Sequence, residues 1–282
     1  MKFALVVNLS KERAIKYAKK ISLFLLDKNA EIAMIEDCSQ YFKGIHIHYS
    51  KNITELFEYC DMAITVGGDG TIIHAAKYAD KQLIGVNVGR LGFAADVEPH
   101  EYEQLERLIT GDYTTEERIL LDVEVIKEDG SKHYLAVNDA VVARGQLSKT
   151  IDLHLTLDGD EISKYRADGL LFATPTGSTA YSLSAGGPIL APKMECILMT
   201  PVCPHSLFSR SVLFSGESEL SVHVKIPEEC CCVLTIDGEK NVPVLATDRV
   251  VIRKSDLKLK LALLHNRNFY KLLNEKLKER DF

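Results

Sequence analysis

The most constraining feature of this 282-residue chain is a change of hydrophobic period part-way along it. Up to about residue 118, short apolar runs alternate with stretches in which apolar residues recur every three to four positions. Lys2 to Asn8 is such a run, and Ala14, Ile15, Ala18, Ile21, Leu25 and Leu26 then share one helical face. Glu31 to Ile35, Asp61 to Val66 and Leu83 to Val88 read as further strands, Thr71 to Ala79 as a helix, and Pro99 to Gly111 as an acidic helical stretch. Strands alternating with helices dictate a parallel sheet covered on both faces. From about Ile119 the period falls to two, as in Leu121-Asp122-Val123-Glu124-Val125, and the turn pairs Asp129-Gly130, Asp158-Gly159 and Asp237-Gly238 punctuate it. This half is β-rich, with strands expected over Ile151 to Leu157, Leu220 to Ile226, Cys232 to Ile236 and Arg249 to Arg253. The tail carries Phe269, Leu272, Leu273 and Leu277 among Lys, Glu and Arg, the pattern of an amphipathic packing helix. The expected organisation is therefore an α/β domain over 1–118, a β-rich domain over 119–261 and a C-terminal segment over 262–282.

Charge narrows the range of partners. Lys and Arg total 34 against 40 for Asp and Glu, so no overall basic field gathers nucleic acid or anionic lipid. No apolar run approaches the ~18 residues of a membrane span, and the first one meets Asn8, Lys11 and Glu12 too soon to serve as a signal-peptide core. The expectation is a cytoplasmic protein whose partners are small molecules, not nucleic acid or membrane. Seven cysteines, with no Cys-x-x-Cys pair, give neither a disulfide framework nor a zinc knuckle. In the run Cys230-Cys231-Cys232, strand alternation scatters the thiols over both faces, so they read as small apolar residues and no protein metal site is expected.

Three clusters carry chemistry. Gly67-Gly68-Asp69-Gly70-Thr71 follows a buried-strand run and precedes a helix, which in an open α/β sheet is the strand end where ligands sit. Glycine there lets the backbone take positive φ or approach a ligand closely, with Asp69 beside whatever is bound. A tight Asp-Gly turn without function is the bland alternative. The spacing fits neither a P-loop nor a Rossmann fingerprint, because Ile73 stands where the third glycine belongs. The second cluster runs from Arg166-Ala167-Asp168-Gly169 into Thr174-Pro175-Thr176-Gly177-Ser178-Thr179-Ala180-Tyr181, where hydroxyls and one phenol suit a ribose and a base, or cap their own backbone. The third, Asn138-Asp139, has the amide and carboxylate that hold sugar hydroxyls, or simply makes a turn.

In this order and spacing, with Gly85 to Phe93, Pro204-His205-Ser206-Leu207 and Phe269-Tyr270, the three clusters closely resemble the NAD kinase family over nearly the whole chain. The Gly-Gly-Asp-Gly element is shared with diacylglycerol-type lipid kinases and phosphofructokinases; the stretch from Thr174 to Tyr181 is the specific part. The resemblance implies a phosphotransferase that moves the γ-phosphoryl group of ATP to the 2′-hydroxyl of the adenosine ribose of NAD, with Mg²⁺ or another divalent cation. It implies a Rossmann-like α/β domain, a β-rich dinucleotide-binding domain, a C-terminal segment returning to the first domain, and a homodimer or homotetramer. Carried over by motif, Asp69 is the general base and Gly67, Gly68, Gly70 and Thr71 approach the nucleotide. Asn138 and Asp139 hold the ribose and base of NAD, while Arg166, Asp168, Thr179, Ala180, Tyr181, Ser182, Leu183 and Ser184 line the same dinucleotide site. His74 and Lys149 are weaker candidates for a phosphate, His74 equally readable as a helix-surface or packed histidine and Lys149 more readily as a surface lysine.

Two departures stand out. Asn138-Asp139 replaces the family's frequent Asn-Glu, shortening the carboxylate arm by one methylene, and Glu239 follows Asp237-Gly238 where many bacterial members have glutamine. A lipid kinase and a non-catalytic NAD-binding regulator are the two alternatives. An ordinary aspartate, with a pKa near ~3.9, cannot strip a sugar hydroxyl in the ground state. Asp69 is therefore expected to act late and chiefly to orient the oxygen in line with the γ-phosphorus.

Overall fold

The computed structural model describes residues 1–78, 80–89, 92–145, 150–206, 209–225, 232–265 and 268–280, with side chains to residue 276 in the last segment. The chain divides into two compact units, Met1–Glu117 with Leu259–Phe282, and Arg118–Lys258.

The first unit runs β1 (Lys2–Val7), α1 (Glu12–Asp27), β2 (Glu31–Ile35), β3 (His48–Ser50), α2 (Ile53–Tyr59), β4 (Met62–Gly67), α3 (Asp69–Ala76), β5 (Leu83–Asn87) and α4 (Glu106–Thr110). The strands are parallel in the order β5-β4-β1-β2-β3, with Leu5 level with Ile64 and Ile64 with Ile84. Every residue of β4 is buried, as a continuous apolar run in a covered parallel sheet demands. Helix α1 buries Ala14, Ala18, Ile21 and Leu25, and the Ser22 hydroxyl among them donates to the Ala18 carbonyl at 2.8 Å. The single helix expected over Pro99–Gly111 is in fact two pieces, a 3₁₀ segment over Pro99–Leu105 followed by α4. The spacing accounts for the first piece: Pro99, Tyr102 and Leu105 recur every third residue, and a three-residue turn stacks them on one line. The thiols of Cys38 and Cys60 lie in this unit, and burial pushes them up to about 11 and about 12.

The second unit runs β6 (Thr114–Lys127), β7 (Gly130–Ala136), β8 (Asp139–Arg144), β9 (Ile151–Leu157), β10 (Asp160–Ala167), β11 (Gly169–Ala173), α5 (Tyr181–Ser184), β12 (Cys196–Val202), β13 (Val212–Ser215), β14 (Leu220–Lys225), β15 (Cys232–Ile236) and β16 (Lys240–Val244). Strand β17 (Arg249–Leu263) then carries the chain back to the first unit, where Leu261 pairs with Leu83 of β5 and α6 (Phe269–Arg280) follows. One antiparallel sheet has the order β13-β12-β11-β8-β15-β16; the other holds β10-β9-β14-β17, with β6 beside β17 and β7 beside β6. Inward residues of both sheets, among them Val123, Leu153, Phe172, Met199, Val222 and Leu234, share one core. Both residues of Asp158-Gly159 and of Asp237-Gly238 are left-handed, with φ of 50° and 95° and of 48° and 69°, which is the backbone a two-residue hairpin turn requires. Strand β17 runs ten residues past the expected end at Arg253, and the alternation of Leu257, Leu259 and Leu261 is the signal that reading overlooked. Cys232 is fully buried in β15, whereas Cys230 and Cys231 lie outside the described residues. No helix among the described residues is long and apolar enough to cross a membrane.

Candidate functional site

Three loops meet at the carboxyl edge of the parallel sheet. Asn8 N–H, just past β1, donates to the Val66 carbonyl at 3.0 Å, and Val88 N–H, just past β5, donates to the Gly67 carbonyl at 2.7 Å. The Gly-rich loop after β4 is thus laced to its neighbours on either side. Helix α3 starts at Asp69, two residues earlier than expected, with Gly68 as its extended N-cap at φ −126° and ψ −169°. The left-handed backbone anticipated for these glycines is not what they supply, because none of Gly67, Gly68 and Gly70 has positive φ. Gly67 is required by contact instead: a Cβ there would stand 2.0 Å from Thr71 Oγ1. A Cβ on Gly68 or Gly70 would meet nothing within 4 Å, so the loop is bare on its open side.

Asp69 is fixed by a bond that its local sequence does not announce. Its carboxylate accepts Phe93 N–H at 2.7 Å and Ala94 N–H at 3.2 Å, clasping a loop 24 residues downstream. Gly92 sits so close that a Cβ would lie 1.8 Å from Asp69 Oδ1. The Phe93 ring packs in turn on Phe269 of α6, with centroids 5.9 Å apart, and under the Lys276 ammonium. His74 is exposed on α3 with its ring edge against Tyr78. Lys149 lies outside the described residues.

The second unit builds its edge from hydroxyls and one carboxylate. Asp237, read from sequence only as part of a turn, accepts the backbone N–H groups of Val137, Asn138 and Asp139 at 3.1, 2.7 and 3.0 Å. Its own N–H returns to the Asp139 carbonyl at 2.9 Å. Asn138 is half-buried and Asp139 buried beside it. Thr174 N–H reaches the Asn138 carbonyl at 2.9 Å, the Thr174 hydroxyl donates to Val137, and a Cβ on Gly177 would stand 2.0 Å from the Asn138 oxygen. The Asn138-Asp139 turn and the Thr174–Thr179 stretch are therefore one packed structure. Several of its hydroxyls point inward, since Ser178 bonds Pro175 and Leu190, and fully buried Ser182 shares a hydrogen bond with Thr200 at 3.2 Å. The hydroxyl of Ser182, one of the residues expected to line the dinucleotide site, is thus turned to Thr200. The outward positions are half-buried Thr179, Ala180 and Leu183 and exposed Tyr181 and Ser184.

Comparison with known proteins places the chain in a family. Residues 3–113 match the ATP-NAD kinase N-terminal domain and residues 137–264 the ATP-NAD kinase C-terminal domain. A curated NAD kinase of Chlorobium phaeobacteroides is 36% identical over 279 residues, covering 98% of this chain and 96% of the relative. That of Natranaerobius thermophilus is 35% identical, covering 97% and 96%. The chain belongs to the ATP-NAD kinase family. Among solved structures, yeast NADH kinase complexed with NADH superposes with a TM-score of 0.90 at 24% identity, covering 99% of this chain and 87% of that one, which bears on the fold alone. An NAD kinase from Archaeoglobus fulgidus in complex with ATP gives 0.79 at 25% identity, covering 99% of both.

For a member of the ATP-NAD kinase family, the placement of Arg166 and Asp168 is unexpected. Strand β11 pairs with β8 so that Ala173 is level with Asp139 and Gly169 with Ala143. Asp168 thus sits at the opposite end of β11 from Thr174, six residues of extended chain or about 20 Å away. It is bonded there to Arg144 at 2.8 Å. Arg166 makes a two-pronged pair with Asp152 at 2.8 and 3.0 Å, which holds that carboxyl below its ordinary range. Arg166 also lines an open groove of about 560 Å³ with His154, Lys164, His205 and Lys225. Within one chain, then, the second unit gathers Asn138, Asp139 and Thr179 to Ser184, and sets Arg166 and Asp168 apart from them.

Proposed function

We propose that this chain transfers the γ-phosphoryl group of ATP to the 2′-hydroxyl of the adenosine ribose of NAD, releasing ADP and NADP. The observation that carries the reading is the full-length match to NAD kinases, at 34–37% identity, in a chain whose Asp69 is pinned beside two bare glycines at a strand-end loop. ATP and NAD are its substrates. Two backbone N–H groups fix the direction of the Asp69 carboxylate, and each oxygen keeps a lone pair for an incoming hydroxyl. Asp69 orients that hydroxyl toward the γ-phosphorus and takes its proton as the new bond forms. General-base assistance of this kind is worth ~10²–10⁴ in rate.

A divalent cation, when bound, neutralises charge on the triphosphate. Asp69, held beside the bare glycines, would be a carboxylate able to share a cation carried by the nucleotide. Asn138, Asp139 and Tyr181 supply the dinucleotide contacts from the second unit. A homodimer or homotetramer is part of the same reading. A second copy provides the way for Arg166 and Asp168, set apart within one chain, to face the dinucleotide.

The test is incubation of the purified chain with NAD, ATP and Mg²⁺, with NADP followed by mass spectrometry. NADP formation by the wild type and a loss of 10²-fold or more in Asp69→Asn, with NAD still bound by calorimetry, are expected. Absence of NADP from the wild type overturns the activity; equal turnover in the variant overturns the role of Asp69.

A further inference from the structure

The first apolar run ends in Asn8-Leu9-Ser10-Lys11, and nothing in its composition marks Lys11 as special. The strand order gives it a place. Lys11 lies in the loop after β1 and Gly89 in the loop after β5, and β4 with its Gly-rich loop stands between those two strands. A Cβ built on Gly89 would nonetheless lie 3.5 Å from Lys11 Nζ. The lysine side chain therefore reaches from the loop after β1 to the loop after β5, across the end of β4 that carries the Gly-rich loop.

The stem is anchored at its base. Asn8 Oδ1 accepts both the N–H and the hydroxyl of Ser10, at 3.1 and 2.6 Å, and Lys11 N–H returns to the Asn8 carbonyl at 3.2 Å. Lys11 is exposed and has no acidic partner among the described residues, unlike Lys28, Lys127, Lys164 and Lys254, each of which is ion-paired. An unpaired cation extended across a glycine loop invites an anion with several oxygens, and the group of that chemistry in the proposed reaction is the triphosphate of the donor.

We propose that Lys11 is a donor-binding residue, its ammonium contacting the β- and γ-phosphates of ATP above Gly68 and Gly70. The assignment rests on the phosphotransfer reading given above. Loss of one charge-assisted phosphate contact is worth roughly a 10- to 100-fold rise in Kd.

Calorimetry with MgATP and, separately, with inorganic tripolyphosphate would compare wild type, Lys11→Gln, Lys11→Arg and Lys16→Gln. Lys16, exposed on α1 one turn beyond the loop that carries Lys11, controls for the loss of one nearby charge. Lys11→Gln is expected to weaken both ligands by that factor, with NAD affinity unchanged, Lys11→Arg close to wild type and Lys16→Gln unaffected. Equal affinities in wild type and Lys11→Gln would overturn the assignment. So would equal losses in Lys11→Gln and Lys16→Gln, or no binding of either ligand by the wild type. NADP formation measured in parallel separates the two readings. Wild type that makes NADP while Lys11→Gln binds normally removes only Lys11; Lys11-dependent ATP binding without NADP removes only the reaction.

Discussion

Two Asp-Gly pairs, one in each unit, use their carboxylates in the same way for different ends. Asp69-Gly70 opens helix α3, and Asp237-Gly238 closes the β15–β16 hairpin with both residues left-handed. Each carboxylate reaches a distant loop and accepts its backbone N–H groups, two from Phe93 and Ala94 in one case and three from Val137 to Asp139 in the other. Asp69 does so beside bare glycines, with space for a substrate. Asp237 does so within a packed turn and presents Asn138 rather than itself. In the reaction proposed above, the same clasp makes Asp69 the chemical group and leaves Asp237 a support.

The sharpest way to break that comparison is to displace Asp69 without changing it. Gly92→Ala places a methyl group where Asp69 Oδ1 now lies, so the carboxylate or the loop must move. Turnover in Gly92→Ala is expected to fall at least 10²-fold, approaching the ~10²–10⁴ of Asp69→Asn, with NAD affinity changed far less. A fully active Gly92→Ala enzyme would mean that the clasp does not aim the carboxylate.

Asp237→Ala tests the other half. It strands three N–H groups, two of them on buried residues, and should cost about 2–4 kcal/mol of stability by urea denaturation, with NAD affinity lost alongside. Asp237→Asn keeps one acceptor oxygen and tolerates positive φ, so its cost should be about half as large. Wild-type stability combined with abolished turnover in Asp237→Ala would reverse the roles assigned to the two aspartates.

What could be read from sequence divides along the same line. The buried run of β4, the turns at Asp158-Gly159 and Asp237-Gly238, and strand β15 at Cys232–Ile236 are local patterns, and period or turn chemistry exposed them. The clusters at Asp69, Asn138 and Thr174 were visible because unusual residues crowd together there. The clasps were not, because Asp69 and Phe93 are 24 residues apart and Asp237 and Val137 are 100 apart, and no spacing rule links such pairs. Strand geometry also undid a sequence neighbourhood. Arg166 and Asp168 lie within ten residues of Thr174 in the chain, yet the extended run of β11 carries them to the far end of the sheet. Lys11 illustrates the converse, since its reach over the Gly-rich loop exists only once β4 is known to lie between β1 and β5.

The smallest effect expected is on the surface of the second unit, where a charged hairpin contrasts with the buried clasp of Asp237. His133 on β7 meets Asp122 at 2.9 Å and Glu124 at 3.7 Å across the β6–β7 pair, and Arg253 is bonded to the same Glu124. The hydrogen bond to Asp122, with its negative charge, raises the His133 pKa above 6.5 despite the opposing guanidinium. A raised folded-state value means that the stabilisation is complete below about pH 6.5 and disappears as pH climbs through the higher folded value. Because the ring is exposed, the contribution should stay under about 1 kcal/mol and shrink in salt. Wild type should therefore unfold at slightly higher urea than His133→Gln at pH 6, and the two midpoints should coincide at pH 9. A wild-type advantage that grew with pH would show that His133 stabilises the hairpin through its neutral ring rather than through its charge.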